Sequence, residues 1–157
     1  MKWITRERPK IDRIACPWLI TRFIDPAPEF LFVPNDDVLS QARALEATPF
    51  DIPGVELSHE GERCTFDTFL KLYKLDNPAL LELALIVRAA DTGALHLAPQ
   101  AAGLLALSLG LSALFTDDHE MLKHGMVAYD AFYAWIVHAR GETHTWHQPQ
   151  PLPVFRP

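Results

Sequence analysis

The sequence has little that would mark a secreted, membrane-spanning or nucleic-acid-binding chain. Cysteine is scarce, with only Cys16 and Cys64 in 157 residues. A chain of this length buries enough surface to fold without a disulfide framework or a structural metal. The N-terminal MKWITRERPKIDR holds no apolar core, so no secretory signal is read there. The longest apolar run, Ala101 to Phe115, is broken by Gly103, Ser108, Gly110 and Ser112. It is shorter than the roughly 20 residues a membrane helix needs. Positive charge is in deficit: 14 Lys and Arg against 20 Asp and Glu leave a net charge of −6. That is the wrong balance for a general nucleic-acid binder. Nucleotide-binding glycine loops and the G-x-S-x-G nucleophile turn are both missing, so no nucleotide cofactor is expected. These absences leave a cytoplasmic protein with reduced thiols, without a membrane or nucleic-acid partner, as the expectation.

What is present is a folding core. Hydrophobic residues make up 49% and charged residues 22%, the proportions of one compact domain. The charge is uneven. Lys2, Arg6, Arg8, Lys10, Arg13 and Arg22 face only Glu7 and Asp12 in the first 22 residues, while the remainder is strongly acidic. A basic segment on an acidic body is either balanced internally or used to hold an anion.

The order of elements predicts an α+β fold: a small N-terminal sheet with helices, then an all-helical second half. Trp3 to Arg6, Glu29 to Val33 and the alternating Val55 to His59 read as strands, with a short edge strand near Pro49. A helix starts at Cys16, with Pro17 in its first turn, or earlier at Asp12. Others span Asp37 to Leu45 and Phe66 to Leu75, the latter capped by Thr65. Asn77-Pro78 opens a helix that Gly93 stops. A helix after Pro99 is apolar on all sides and is therefore expected at the centre, where Gly103 and Gly110 would admit a neighbouring helix. Asp117-Asp118 caps the last one, Glu120 to Ala139. One domain over 1–140 is expected, followed by a His/Pro-rich tail over 141–157 whose His144 and His147 face solvent. A homodimer stays open.

Several groups carry chemistry. A cysteine at a helix N-terminus gains thiolate character, and with Arg13 and Arg22 nearby Cys16 could hold an oxyanion. The competing reading makes Cys16 a small core residue. His59, Glu60, Glu62 and Cys64 cluster ahead of a helix, with ligand types that suit a transition metal but no zinc-finger spacing. Arg88 and Asp91 share a helix face at i and i+3, either as an internal pair or with Asp91 facing His59 across a cleft. Asp130, between Tyr129 and Tyr133, is a further acidic ligand or part of a satisfied network.

These segments also form a pattern. Asp12 to Ile20, Arg22 to Asp25 and Phe30 to Pro34 resemble the C-terminal domain of ChrB-type chromate resistance proteins. Phe50-Asp51, Pro53-Gly54, His59, Cys64 to Asp67, Ile86 to Arg88, Ala90 to Thr92, Ala102 to Leu104, Tyr129-Asp130 and Tyr133 to Trp135 continue it in order. The resemblance implies a role in chromate resistance or sensing. Taken with the residues, it points to a domain binding an oxyanion (chromate) or a metal ion. Arg13, Cys16, Arg22 and Arg88 are the expected anion ligands, and His59, Cys64, Asp91 and Asp130 the expected metal ligands. The implied cofactor is a divalent transition metal and the implied partner a small inorganic ion. The alternative is a metal-dependent enzyme, a hydrolase or redox catalyst, using His59, Asp91 and Asp130. A structural module with only internal ion pairs is the third reading.

Overall fold

Strand β1 (Lys2–Arg6) is the middle of a three-stranded parallel sheet in the computed structural model, which describes residues 1–142. β2 (Glu29–Val33) pairs along its whole length, Lys2 opposite Glu29 and Arg6 opposite Val33. β3 (Thr48–Pro49) pairs on the other side through Trp3 and Ile4. Parallel neighbours need crossovers, and helices supply them. α1 (Asp12–Leu19), continued by a wide turn Ile20–Ile24, links β1 to β2; α2 (Val38–Leu45) links β2 to β3.

Successive strand residues point to opposite faces, so Trp3 and Ile4 begin two different cores. Trp3 joins the main one with Ile14, Trp18, Phe66, Phe69 and Leu83. Ile4 packs with Val38, Ala42, Ala47 and Ile52 under α2. The second half is helical: α3 (Thr65–Leu72), α4 (Pro78–Asp91), α5 (Ala101–Leu114) and α6 (Asp118–Ala134). The architecture is α+β, with the strands early and the helices late. α1 is in contact with α3, α4 and α6, which puts its N-terminus where the sheet side and the helical side meet.

Several local expectations hold. The Asn77 side chain accepts from the Ala79 N–H at 2.8 Å, and Asp117 accepts from the Glu120 N–H at 2.8 Å. Gly93 stops α4 at φ +75°.

Others are corrected. Of the two starts expected for α1 the earlier one, Asp12, holds, so Cys16 lies inside the helix rather than at its cap. Pro17 therefore interrupts the ladder, and the helix widens after it. Val55 to His59 is no strand: the Leu57 carbonyl accepts from the Asp51 N–H and the Ser58 carbonyl from the Thr68 hydroxyl, so these carbonyls bond a loop and a helix. Cys64, not Thr65, is the N-cap residue of α3. Most instructive is α5. Its apolar sequence predicts a central helix, yet only Ala101, Leu104 and Ser108 are buried and Leu107, Leu109 and Leu114 are exposed. The predicted tail residues His144 and His147 lie outside the described residues.

Candidate metal centre

The site is built where two helix N-termini converge. Ile11, just before α1, has φ +36°, a strained value for a β-branched residue. The Tyr129 hydroxyl donates to its carbonyl at 3.1 Å and holds the turn from α6. This turn delivers Asp12, which is 1% exposed. One Asp12 oxygen accepts from the Thr65 N–H at 2.6 Å; the other lies 3.4 Å from the Phe66 N–H. Both donors sit in the first turn of α3, whose free N–H groups and partial positive charge favour a carboxylate.

Asp51 is the second strained position, at φ +54°. Its carboxylate accepts from the Thr65 hydroxyl at 2.7 Å and from Arg6 Nη2 at 3.0 Å, and Arg13 Nε lies 3.4 Å away. Burial and then the neighbouring Asp12 push its carboxyl above the usual range, against the pull of those partners. Asp91 comes from the last turn of α4. Burial, then Asp12 and Asp51, raise it to about 7.

His59 closes the cluster from the loop before α3. Its Nε2 lies 3.1 Å from Asp91, 3.4 Å from Asp12 and 3.6 Å from Asp51. Three carboxylates around one imidazole favour its protonated form. The Asp12 hydrogen bond is the largest effect, ahead of opposing burial and of the Asp12, Asp91 and Asp51 charges, and His59 is pushed up to about 9. The ligand atoms of Asp12, His59 and Asp91 lie within 4.8 Å of one another. Two oxygens and one imidazole nitrogen form a donor set suited to a divalent first-row ion. The His59 side chain is 41% exposed. A cleft of about 350 Å³, lined by Arg6, Asp51, Pro53, Gly54, Ser58 and His59 among others, reaches the same edge. Such a site has room for further ligands on the solvent side.

The family model "ChrB, C-terminal domain" matches residues 3–136. The chain belongs to the ChrB C-terminal domain family. Protein ChrB of Cupriavidus metallidurans is 32% identical over 133 residues, which are 84% of this chain and 40% of that protein. This ChrB-type chain thus spans less than half the length of the curated relative it matches. No solved structure matches it.

In this ChrB-type domain, the residues singled out from sequence divide into separate groups. His59 and Asp91 meet, as the cleft reading expected. Arg13 reaches the edge of the cluster through Asp51, but its Nη1 also donates to the carbonyls of Arg6 and Glu7. Arg88 pairs with Asp67 at 3.5 Å rather than with Asp91. Arg22 grips Asp130 with two bonds, 3.0 and 2.7 Å, and the Trp18 indole N–H donates to the same carboxylate at 2.7 Å. Asp130 is therefore held in a network of its own and stands outside the three-ligand cluster. Cys16 is fully buried in the main core, and burial first of all pushes its thiol well up. Its place inside the core, rather than at an exposed helix start, fits the reading of Cys16 as a small core residue. Cys64 is likewise buried, its thiol raised by burial and then by Asp12 and Asp67. The basic N-terminal segment is largely balanced from within, Arg6 and Arg13 by Asp51, Arg8 by Asp118 and Arg22 by Asp130.

In the sequence, Asp12 and Asp51 belong to the family pattern but carry no evident role. The signal was there: Asp12 stands among apolar residues that bury, and a carboxylate so placed needs strong partners. Among the described residues no helix is long and apolar enough to cross a membrane.

Proposed function

We propose that this domain serves chromate resistance by holding a divalent transition-metal ion on Asp12, His59 and Asp91. The observation that carries the reading is the convergence of these three ligand atoms within 4.8 Å at an edge open to solvent. Net charge at the cluster favours a cation over a bare oxyanion. Three carboxylates face the point where an anion would sit, and Arg6 and Arg13 are engaged by Asp51 and by backbone carbonyls. Replacing the His59 proton by a metal ion satisfies the same carboxylates with more charge and fixed geometry. The bound ion would offer a chromate oxygen a ligand position on the cleft side, where Arg6 lines the wall.

Calorimetric titration of the metal-free protein with Mn²⁺, Co²⁺, Ni²⁺ and Zn²⁺ tests the ion. One-to-one binding that His59→Ala abolishes is the expected result. The His59 side chain is 41% exposed, so the variant should remain folded though less stable, which thermal unfolding checks. Absence of binding to every ion, or binding untouched in His59→Ala, rejects the site. Chromate titrated into metal-loaded and metal-free protein then tests the second step; binding only to the loaded form is expected.

A further inference from the structure

We propose that the outer face of α5 is a self-association surface, taking α5 of a second copy of this chain in an antiparallel, two-fold pair. From Ala101 to Leu114 the helix carries no charged residue, although the chain as a whole has a net charge of −6. It packs on α4 and α6 through the side that carries the buried Ala101, Leu104 and Ser108, and Arg8 donates to the Ser112 and Phe115 carbonyls at its C-terminal end. On the other side Leu107 is 43% and Leu114 77% exposed. Beside Leu107 an apolar groove of about 300 Å³ runs between α5 and α6, lined by Ala128, Ala131, Phe132 and Trp135. A surface of this kind on an acidic protein marks a contact site.

The spacing of large and small residues selects the occupant. Gly103, Leu107, Gly110 and Leu114 follow one another at i, i+4, i+7 and i+11, and all four are exposed. This is the seam spacing of paired helices. Nothing stands within 4 Å of where a side chain would begin at Gly103 or Gly110. Place a two-fold axis between Ser108 and Leu109. Leu107 of one copy then faces Gly110 of the other, and Leu114 faces Gly103. Every leucine meets a glycine, in both directions. A two-fold interface requires such self-complementarity, since the same patch must serve both partners. A partner that also lacks charge on this face avoids the repulsion that two acidic bodies meet elsewhere.

Sedimentation of the full chain tests the proposal. A mass twice the 17.7 kDa of one chain is expected, falling to a single chain in Leu107→Glu with the melting temperature kept. A cysteine pair tests the register, and it still decides if Leu107→Glu folds poorly. Mixed Gly103→Cys and Leu114→Cys chains should form an intermolecular disulfide under mild oxidation, whereas neither should link alone. In the antiparallel pair each position is eleven residues from its own copy along the axis, about 16 Å, beyond the roughly 7 Å limit between bridged Cα atoms. Cys16 and Cys64 are buried and do not compete. A wild-type monomer at about 100 μM overturns the proposal, including one whose α5 face is covered by its own residues 143–157. So does a dimer that survives Leu107→Glu, or a link formed by either single variant.

Discussion

A carboxylate oxygen of Asp12, the first residue of α1, accepts from the backbone N–H of Thr65, the first residue of α3, at 2.6 Å. Two helix starts, 53 positions apart in the chain, thus share one buried charge. The positive ends of both helices stabilise it, and the same carboxylate faces His59. Asp12 therefore both holds α3 in place and supplies the proposed ion with a ligand.

Asp12→Asn separates these two roles. The amide keeps the shape and one acceptor but loses the charge. The metal-free variant should lose about 1–2 kcal/mol of stability, the scale of a lost helix cap, measured by urea unfolding. Its metal affinity should fall at least about tenfold by calorimetry. Full stability with weakened metal binding would leave the capping role without support.

His59 predicts opposite pH responses for the metal-free protein and for metal binding. Its proton is held up to about 9, against 6.5 ordinarily, first by the Asp12 hydrogen bond. For a raised pKa the stabilisation is complete below the unfolded value and is lost as pH rises through the folded one. The stability difference between wild type and metal-free His59→Ala should therefore shrink as pH climbs from about 6.5 to about 9. Metal must displace that proton, so affinity should rise over the same window. Asp91, raised to about 7 by burial and the neighbouring Asp12 and Asp51, adds to the loss of affinity below neutrality. Calorimetry in buffers of different ionisation enthalpy should detect the proton release.

Asp130→Asn is the control at the other network. It removes the charge that Arg22 grips but leaves an oxygen to accept from Trp18. A stability loss of about 1 kcal/mol is expected for a partly exposed pair. Metal affinity should stay within about twofold, since Asp130 lies outside the three-ligand cluster. A large fall in affinity would place Asp130 back in the metal centre.

Gly125→Ala probes the packing of α6 on α1. A methyl group there would lie 2.5 Å from Cγ2 of Ile14, a branch close to the backbone that cannot swing away freely. Overpacking of this kind costs about 1–3 kcal/mol. Thermal unfolding should show a lowered midpoint, and an unchanged midpoint would mean that the interface relaxes at no cost.

Elements governed by local rules were legible in the sequence. The caps Asn77 and Asp117, the stop at Gly93 and the strands Lys2–Arg6 and Glu29–Val33 follow from hydrogen-bonding and periodicity within a few residues. The sequence alone also marked His59 and Asp91 as groups that could meet. Asp12 and Asp51 escaped, because their roles depend on backbone strain and on partners brought from other segments. Cys16 misled for the same reason: its distance from the helix start depends on where Ile11 turns, and its thiol chemistry on burial by the surrounding core. Apolar composition could not place α5 either, since a helix without polar residues fits a protein centre and a contact surface equally well. Only the packing of α4 and α6 along one side decided between them, leaving the leucines of the other side in solvent.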